Sequence, residues 1–98
     1  MLLRGSLQFD IKYEQSKKKV AKIISLALIV ETEELYKTNP LHTKLNLKNI
    51  VCKWDKHKQS IRVIGNSGYR ILLTHKDNIV YFKDIMNHDK YDRLTKDC

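Results

Sequence analysis

The chain has 98 residues, of which 42% are apolar, and it carries 19 Lys and Arg against 11 Asp and Glu, a formal charge of +8. A chain of this length builds one modest hydrophobic core, so we expect a single domain over residues 1–98, and a multidomain enzyme is excluded. The charge makes a polyanion the first partner to consider, although a basic surface can also simply be well solvated.

The positive charge is concentrated in one continuous third of the chain. Residues 41–76 hold eight Lys or Arg and a single acid, Asp55. Such one-sided charge is typical of a surface that contacts phosphates. We predict RNA-binding side chains in the first half of this stretch: Lys44, Lys48, Lys53, Lys56, His57 and Lys58. The alternative for the last three is a solvated edge, and Trp54 either stacks on a base or belongs to the core.

Neither cysteine indicates a zinc site or a disulfide framework. Cys52 and Cys98 lie far apart and show no CxxC or Cys/His spacing,. A reducing cytoplasm therefore fits best. The apolar run at 23–30 is much shorter than the roughly 20 residues that span a bilayer, and it does not lie at the N-terminus, so we interpret it as core.

The first predicted element is a strand. Residues 7–13, LQFDIKY, alternate between apolar and polar side chains, which is typical of a half-buried strand with Leu7, Phe9, Ile11 and Tyr13 on one face,. From Glu14 onward the apolar residues recur at helical spacing. They are Val20, Ile23, Ile24, Ala27 and Leu28.

The helical segment is predicted to be one bent helix or a helical hairpin, with a break near residues 25–32 and a restart as ETEELYK. Acids at 31, 33 and 34 favour the positively polarised start of a second helix. Pro40 lacks an amide hydrogen and disfavours helical geometry at Asn39, so the helix should end there.

The rest of the chain is predicted to form strands. Residues 44–54 are uncertain, whereas SIRVIG at 60–65 is a clear strand. GNSG at 65–68 and HKDN at 75–78 contain residues that tolerate positive φ, so they can close two successive hairpins. The predicted class is α+β, with an N-terminal strand, the helices, and a three- to four-stranded antiparallel meander. Its second sheet face is open unless a partner covers it.

With these elements the sequence resembles the RelE/ParE superfamily of toxins from toxin–antitoxin pairs. The resemblance rests most on SGYRILL at 67–73, followed by an apolar strand and a His-to-Tyr terminus at 88–91. The N-terminal strand with its basic helix, and the NP-x-x-x-KL segment at 39–45, support it more weakly. The resemblance implies a RelE-like fold.

For function, the resemblance implies a ribosome-dependent endoribonuclease that cleaves messenger RNA and is held inactive by an antitoxin. Carried over by motif, the arginine that stabilises the transition state falls on Arg70, and a basic residue of the preceding strand falls near Arg62. The tail positions fall on His88 and Tyr91. The sequence departs from the commoner His-Arg-x-x-x-Tyr pattern, because only two residues separate His88 from Tyr91.

The chemistry also makes sense without the resemblance. Attack of a 2′-hydroxyl on the adjacent phosphate needs a base, an acid and cations around phosphorus, and it requires no metal or cofactor. Imidazole, with an ordinary pKa of about 6.5, can take or give a proton, and His88 supplies one. The planar fork of Arg70 matches two phosphate oxygens. Tyr91 is either a proton donor or a base-stacking platform.

The sequence alone leaves other interpretations open. Arg70 could instead pair with Asp84 across the hairpin, His88 could be a solvated tail residue, and Tyr91 a packing residue. A gyrase-binding ParE-like toxin would lack a coherent set of catalytic side chains in the tail. A non-enzymatic nucleic-acid-binding module would use the same charge without chemistry.

Overall fold

A computed structural model describes residues 6–50, 57–65 and 68–96. The elements in chain order are strand β1 (Ser6–Phe9), helices α1 (Ile11–Val20) and α2 (Leu26–Thr38), strands β2 (Lys48–Asn49), β3 (Lys58–Arg62), β4 (Tyr69–Lys76) and β5 (Ile79–Asn87), and helix α3 (His88–Lys96). A short 3-10 turn, Thr43–Leu45, lies between α2 and β2. This is the predicted α+β class with a helical hairpin, and no helix in the described ranges is long and apolar enough to cross a bilayer.

The five strands form one sheet in the order β1-β5-β4-β3-β2. β1 is parallel to β5, with Phe9 opposite Phe82, and the other four strands form the predicted antiparallel meander. The turn between β4 and β5 places Asp77 and Asn78 at φ 52° and 64°. Two successive positive φ values define the tight type I′ hairpin, so the HKDN prediction is confirmed.

The predicted strand over 7–13 is wrong after residue 9. Asp10 is still extended, and its amide donates to the Phe82 carbonyl, but its own carbonyl accepts from Glu14 and so closes the first turn of α1. Asp is a favoured residue at this cap position. Ile11 consequently lies on the outer side of α1 and is 79% exposed, whereas Tyr13 reaches the core by helical spacing.

The helices also differ from the prediction in where they break. α1 ends at Val20, and Ser25 begins α2 by accepting a hydrogen bond from the Ala27 amide at 3.2 Å. The connection leaves Ile23 71% exposed, so the run at 23–30 is core only in part. The end of α2 at Thr38, directly before Asn39 and Pro40, is confirmed.

The three acids do not cap the start of α2; they lie in its middle. Glu33 is buried there, where it accepts from the Tyr13 hydroxyl at 2.6 Å and pairs with Lys17 at 2.9 Å. Burial, followed by the hydrogen bond to Glu33, raises the pKa of Tyr13. The pairing explains why a carboxylate can be buried beneath the helices, since an unpaired one would be costly.

The main core lies between the sheet and the helices. Phe82 is fully buried at its centre, with its ring centroid 5.3 Å from Phe9, 5.3 Å from Tyr13 and 5.5 Å from Tyr36. A smaller cluster on the opposite sheet face contains Ile50, Leu72 and Met86, with Tyr91 of α3 packed against it. The second sheet face is therefore partly covered by the chain's own C-terminal helix, which the sequence interpretation had left open.

Candidate phosphate-binding and catalytic site

Two arginines lie side by side on the sheet face that carries α3. In the β3–β4 pairing, Arg62 is directly opposite Arg70, so both side chains leave the same face,. The sequence could not settle this phase, because the turn between the strands leaves the register ambiguous. Like charges directly opposite each other destabilise a sheet, so this arrangement favours an anion between or above them.

Arg70 is buried without a partner for most of its guanidinium group. Its exposed fraction is 8%, and among the residues that the structure describes neither Nε nor Nη1 has a hydrogen-bond acceptor. The alternative pairing with Asp84 is not formed: the Asp84 carboxylate lies 3.5 Å from Lys12 Nζ, and its Oδ1 accepts from the Ile85 amide. Buried donors are nearly always satisfied in folded proteins, so two donor nitrogens without an acceptor on one cation point to a missing anionic ligand.

A surface cavity of about 360 Å³ brings these arginines together with His88. Its described lining is Arg62, Gly68, Tyr69, Arg70 and His88. The His88 amide donates to the Gly68 carbonyl at 2.9 Å, which ties the start of α3 to the start of β4. The structure thus places three of the four predicted catalytic residues around one space.

The imidazole of His88 is oriented by a carboxylate that the sequence interpretation missed. His88 Nδ1 lies 3.1 Å from Asp92 Oδ2, one helical turn later. In the neutral ring, the nitrogen that faces a carboxylate carries the proton, so Nε2 keeps its lone pair. This is the orientation that a general base requires. The His-x-x-x-Asp spacing is the signal that would have revealed it, had the tail been predicted as a helix.

Tyr91, the fourth predicted catalytic residue, is held against the sheet. Its ring centroid is 5.1 Å from Arg70 Cζ, and its hydroxyl lies 2.8 Å from the Oγ of buried Ser60. It is not among the described residues that line the cavity. Its position is suited to holding the guanidinium in place through a cation–π contact.

The predicted RNA-binding residues separate into three groups. Lys48 and Lys58 lie on the same sheet face as the two arginines. Lys58, Ser60 and Arg62 are alternate residues of β3 and so share a face, and Lys48 is paired directly with Ser60. Lys44 lies in the 3-10 turn and lines a second cavity beside Arg62. Lys53, Lys56 and also Trp54 fall outside the described residues.

His57 lies at the far end of the β3–β4 hairpin from Arg70. Its carbonyl accepts from the His75 amide, and both histidines line a small cavity with Asn49 and Gln59. The His75 ring contacts Gln59 Oε1 at 2.5 Å. Burial, and then the nearby His57, lower the pKa of His75. In the described part of the chain, no three His, Cys, Asp or Glu side chains group closely enough to hold a metal ion.

The lowered pKa of His75 predicts acid sensitivity. Below about pH 6.5 the unfolded chain protonates this imidazole while the folded protein resists it, so stability is lost as the pH falls toward the folded-state pKa. Urea unfolding at pH 7.5 and pH 5.5 should show a larger loss for the wild type than for His75→Gln. Equal losses in the two proteins would contradict this expectation.

Comparison with known proteins supports the architecture. No family model matches the chain, and no curated protein matches it in sequence. Among solved structures, YafQ from E. coli strain BL21(DE3) is 12% identical with a TM-score of 0.69, covering 90% of this chain and 98% of its own. A metal-bound toxin from Helicobacter pylori is 15% identical with a TM-score of 0.68, covering 92% and 98%.

An antitoxin–toxin complex also matches. The RelE chain of the RelB–RelE complex from Methanococcus jannaschii is 21% identical with a TM-score of 0.61, and the alignment covers 89% of this chain and 96% of that one. At such identities the similarity concerns the fold rather than the activity. The chain therefore has the RelE-like fold that its sequence predicts.

Proposed function

We propose that the chain is the toxin of a toxin–antitoxin pair and that it cleaves messenger RNA, bound at the ribosome, by attack of a 2′-hydroxyl on the adjacent phosphate. The observation that carries this proposal is the buried, unpartnered guanidinium of Arg70 beside Arg62 and His88. The fold supports it, since solved structures with this fold include toxin–antitoxin complexes. The site of action would be the cytoplasm, where messenger RNA is translated.

The roles of the side chains follow from their geometry. Arg70 and Arg62 would bind the non-bridging oxygens of the scissile phosphate and stabilise the charge that grows on them in the transition state. His88 Nε2 would take the proton of the 2′-hydroxyl, while Asp92 stabilises the resulting imidazolium,. The 2′-oxygen then bonds to phosphorus and the bond to the 5′-oxygen breaks, which leaves a 2′,3′-cyclic phosphate and, after protonation, a 5′-hydroxyl.

Tyr91 acts, in this proposal, through its ring rather than its hydroxyl. Because the hydroxyl is hydrogen-bonded to Ser60, the ring over Arg70 is the part that serves the site. We expect Tyr91→Phe to retain the cleavage rate within about threefold. Tyr91→Ala should lose about tenfold or more, the effect of a desolvated cation–π contact. Equal, large losses in both variants would identify the hydroxyl as the functional group, in the manner of a proton donor.

The proposal is tested in cells. Wild type, Arg70→Ala, His88→Ala and the exposed control Arg93→Ala would be expressed inducibly, and messenger RNA 5′ ends mapped during growth arrest. We expect growth arrest with new internal 5′ ends for the wild type and the control. Arg70→Ala and His88→Ala should show neither the arrest nor the new ends. Arrest with intact messages and altered DNA supercoiling would favour a gyrase-directed toxin. Arrest with intact messages and unaltered supercoiling, only partly relieved in the two variants, would favour a binding module.

A further inference from the structure

A second cavity adjoins the proposed catalytic one and shares a wall with it. It has a volume of about 470 Å³, within the range of roughly 300–1,000 Å³ that ligand pockets occupy,. Its described lining is Leu28, Thr43, Lys44, Arg62, Ile64 and Gly65. Arg62 lines both cavities and is the cross-strand partner of Arg70, so the two cavities meet at Arg62.

The shape of the second cavity depends on Gly65. This residue has φ +85°, and a Cβ placed on it would lie 3.2 Å from Leu28 Cδ2. Glycine therefore lets the Leu28 side chain approach the backbone that follows β3. The half-buried side chains of Leu28 and Ile64 form an apolar wall there, while Lys44 and Arg62 supply the charge.

The chemistry of the lining selects one kind of occupant. Apolar carbon beside two cations fits a base that packs flat against aliphatic side chains and is joined to a phosphate that pairs with a cation. No acid is found among the described residues that line either cavity. The cations Lys44, Arg62 and Arg70 thus lie along one path without an opposing charge that would exclude a polyanion.

We propose that this second cavity is a subsite for the nucleotide one position beyond the two that the scissile phosphate joins, with its base against Leu28 and Ile64 and the phosphate that links it to the chain on Lys44. The inference rests on the proposed function, since it assumes that RNA occupies the Arg70 cavity. The inference also specifies the length of the ligand. A dinucleotide fills only the site at Arg70, so the ligand is a single strand longer than a dinucleotide.

Binding measured against strand length and salt tests the subsite. The full-length protein would be titrated with 2′-deoxy dinucleotides, which cannot be cleaved, and with tetranucleotides that add one nucleotide on each side. We expect the tetranucleotide to bind several-fold more tightly. Lys44→Ala should lower the slope of log K against log salt by about 0.7 for the tetranucleotide and leave the dinucleotide unchanged. Methyl resonances of Leu28 and Ile64 should shift only with the longer ligand.

Lys19→Ala is the matched control, since Lys19 is an exposed lysine of α1 that lines neither cavity. Its effect should not depend on strand length. If the wild type binds the two ligands equally, or if Lys44→Ala weakens both to the same extent, the subsite is wrong while the site at Arg70 stands. If neither ligand binds, the subsite fails, while the proposed function, which acts on RNA at the ribosome, is decided by the mapping of messenger RNA 5′ ends.

Discussion

We expect Arg70→Met to lower the rate of RNA cleavage by about 100- to 1,000-fold, the effect of removing one preorganised charge donor from a transition state. Arg70→Lys should lose nearly as much, because an ammonium group has a single nitrogen and cannot replace the planar donors of Nε and Nη1 that lack acceptors in the described structure,. Single-turnover cleavage in a purified translation system measures both. Arg93 is an exposed arginine of α3, so Arg93→Lys is the matched control and should cleave RNA at the wild-type rate.

Arg70→Met should not destabilise the fold. In the free protein Arg70 is a buried cation opposite another arginine, so methionine removes an unfavourable charge and keeps most of the apolar stem,. The free energy of unfolding, measured in urea, should stay equal or rise. A fall of more than about 1 kcal/mol would mean that Arg70 is a structural residue, and the loss of activity would then need no phosphate to explain it.

We expect Phe82→Ala to destabilise the protein by about 3–5 kcal/mol, because Phe82 is fully buried among three other aromatic rings,. That is a large share of the roughly 5–15 kcal/mol that keeps a domain folded. Urea unfolding measures the change. Ile11→Ala is the control: a residue 79% exposed on α1 should change the free energy of unfolding by no more than about 0.5 kcal/mol,.

The Ile11 control also tests where the first strand ends. If residues 7–13 formed the strand that their alternation predicts, Ile11 would face the core and its loss would be costly. Alternation over seven residues cannot show that Asp10 starts a helix, because the decisive interactions are tertiary. The Asp10 amide donates to the Phe82 carbonyl on β5, and its carboxylate pairs with Lys83 at 2.6 Å.

The site was predictable in its residue types and less so in its geometry. Arg62, Arg70 and His88 were predicted from the sequence, and the three residues line one cavity. The sequence does not fix the length of the turn between β3 and β4, so it could not show which sheet face carries Arg62. A slip of one residue in the pairing moves every side chain of a strand to the other face. Asp92 was missed because its pairing with His88 exists only when the tail is helical.

The hydrogen bond between Tyr91 and Ser60 could not be predicted either. It joins residues that lie 31 positions apart, on α3 and β3, and neither residue alone carries a distinctive motif. Such contacts depend on how a short helix packs on the sheet. The sequence could suggest a functional Tyr91, but it could not show that the hydroxyl faces Ser60 and the ring faces Arg70.

The chemistry of the cleaved ends tests the central claim most directly. RNA cleaved by the wild-type protein on the ribosome should carry a 2′,3′-cyclic phosphate on one fragment and a 5′-hydroxyl on the other, and a single 2′-deoxy substitution at the scissile nucleotide should block cleavage. Fragments with a 5′-phosphate and a 3′-hydroxyl, or undiminished cleavage of the 2′-deoxy substrate, would contradict a site in which Arg70, Arg62 and His88 promote attack by the RNA's own hydroxyl.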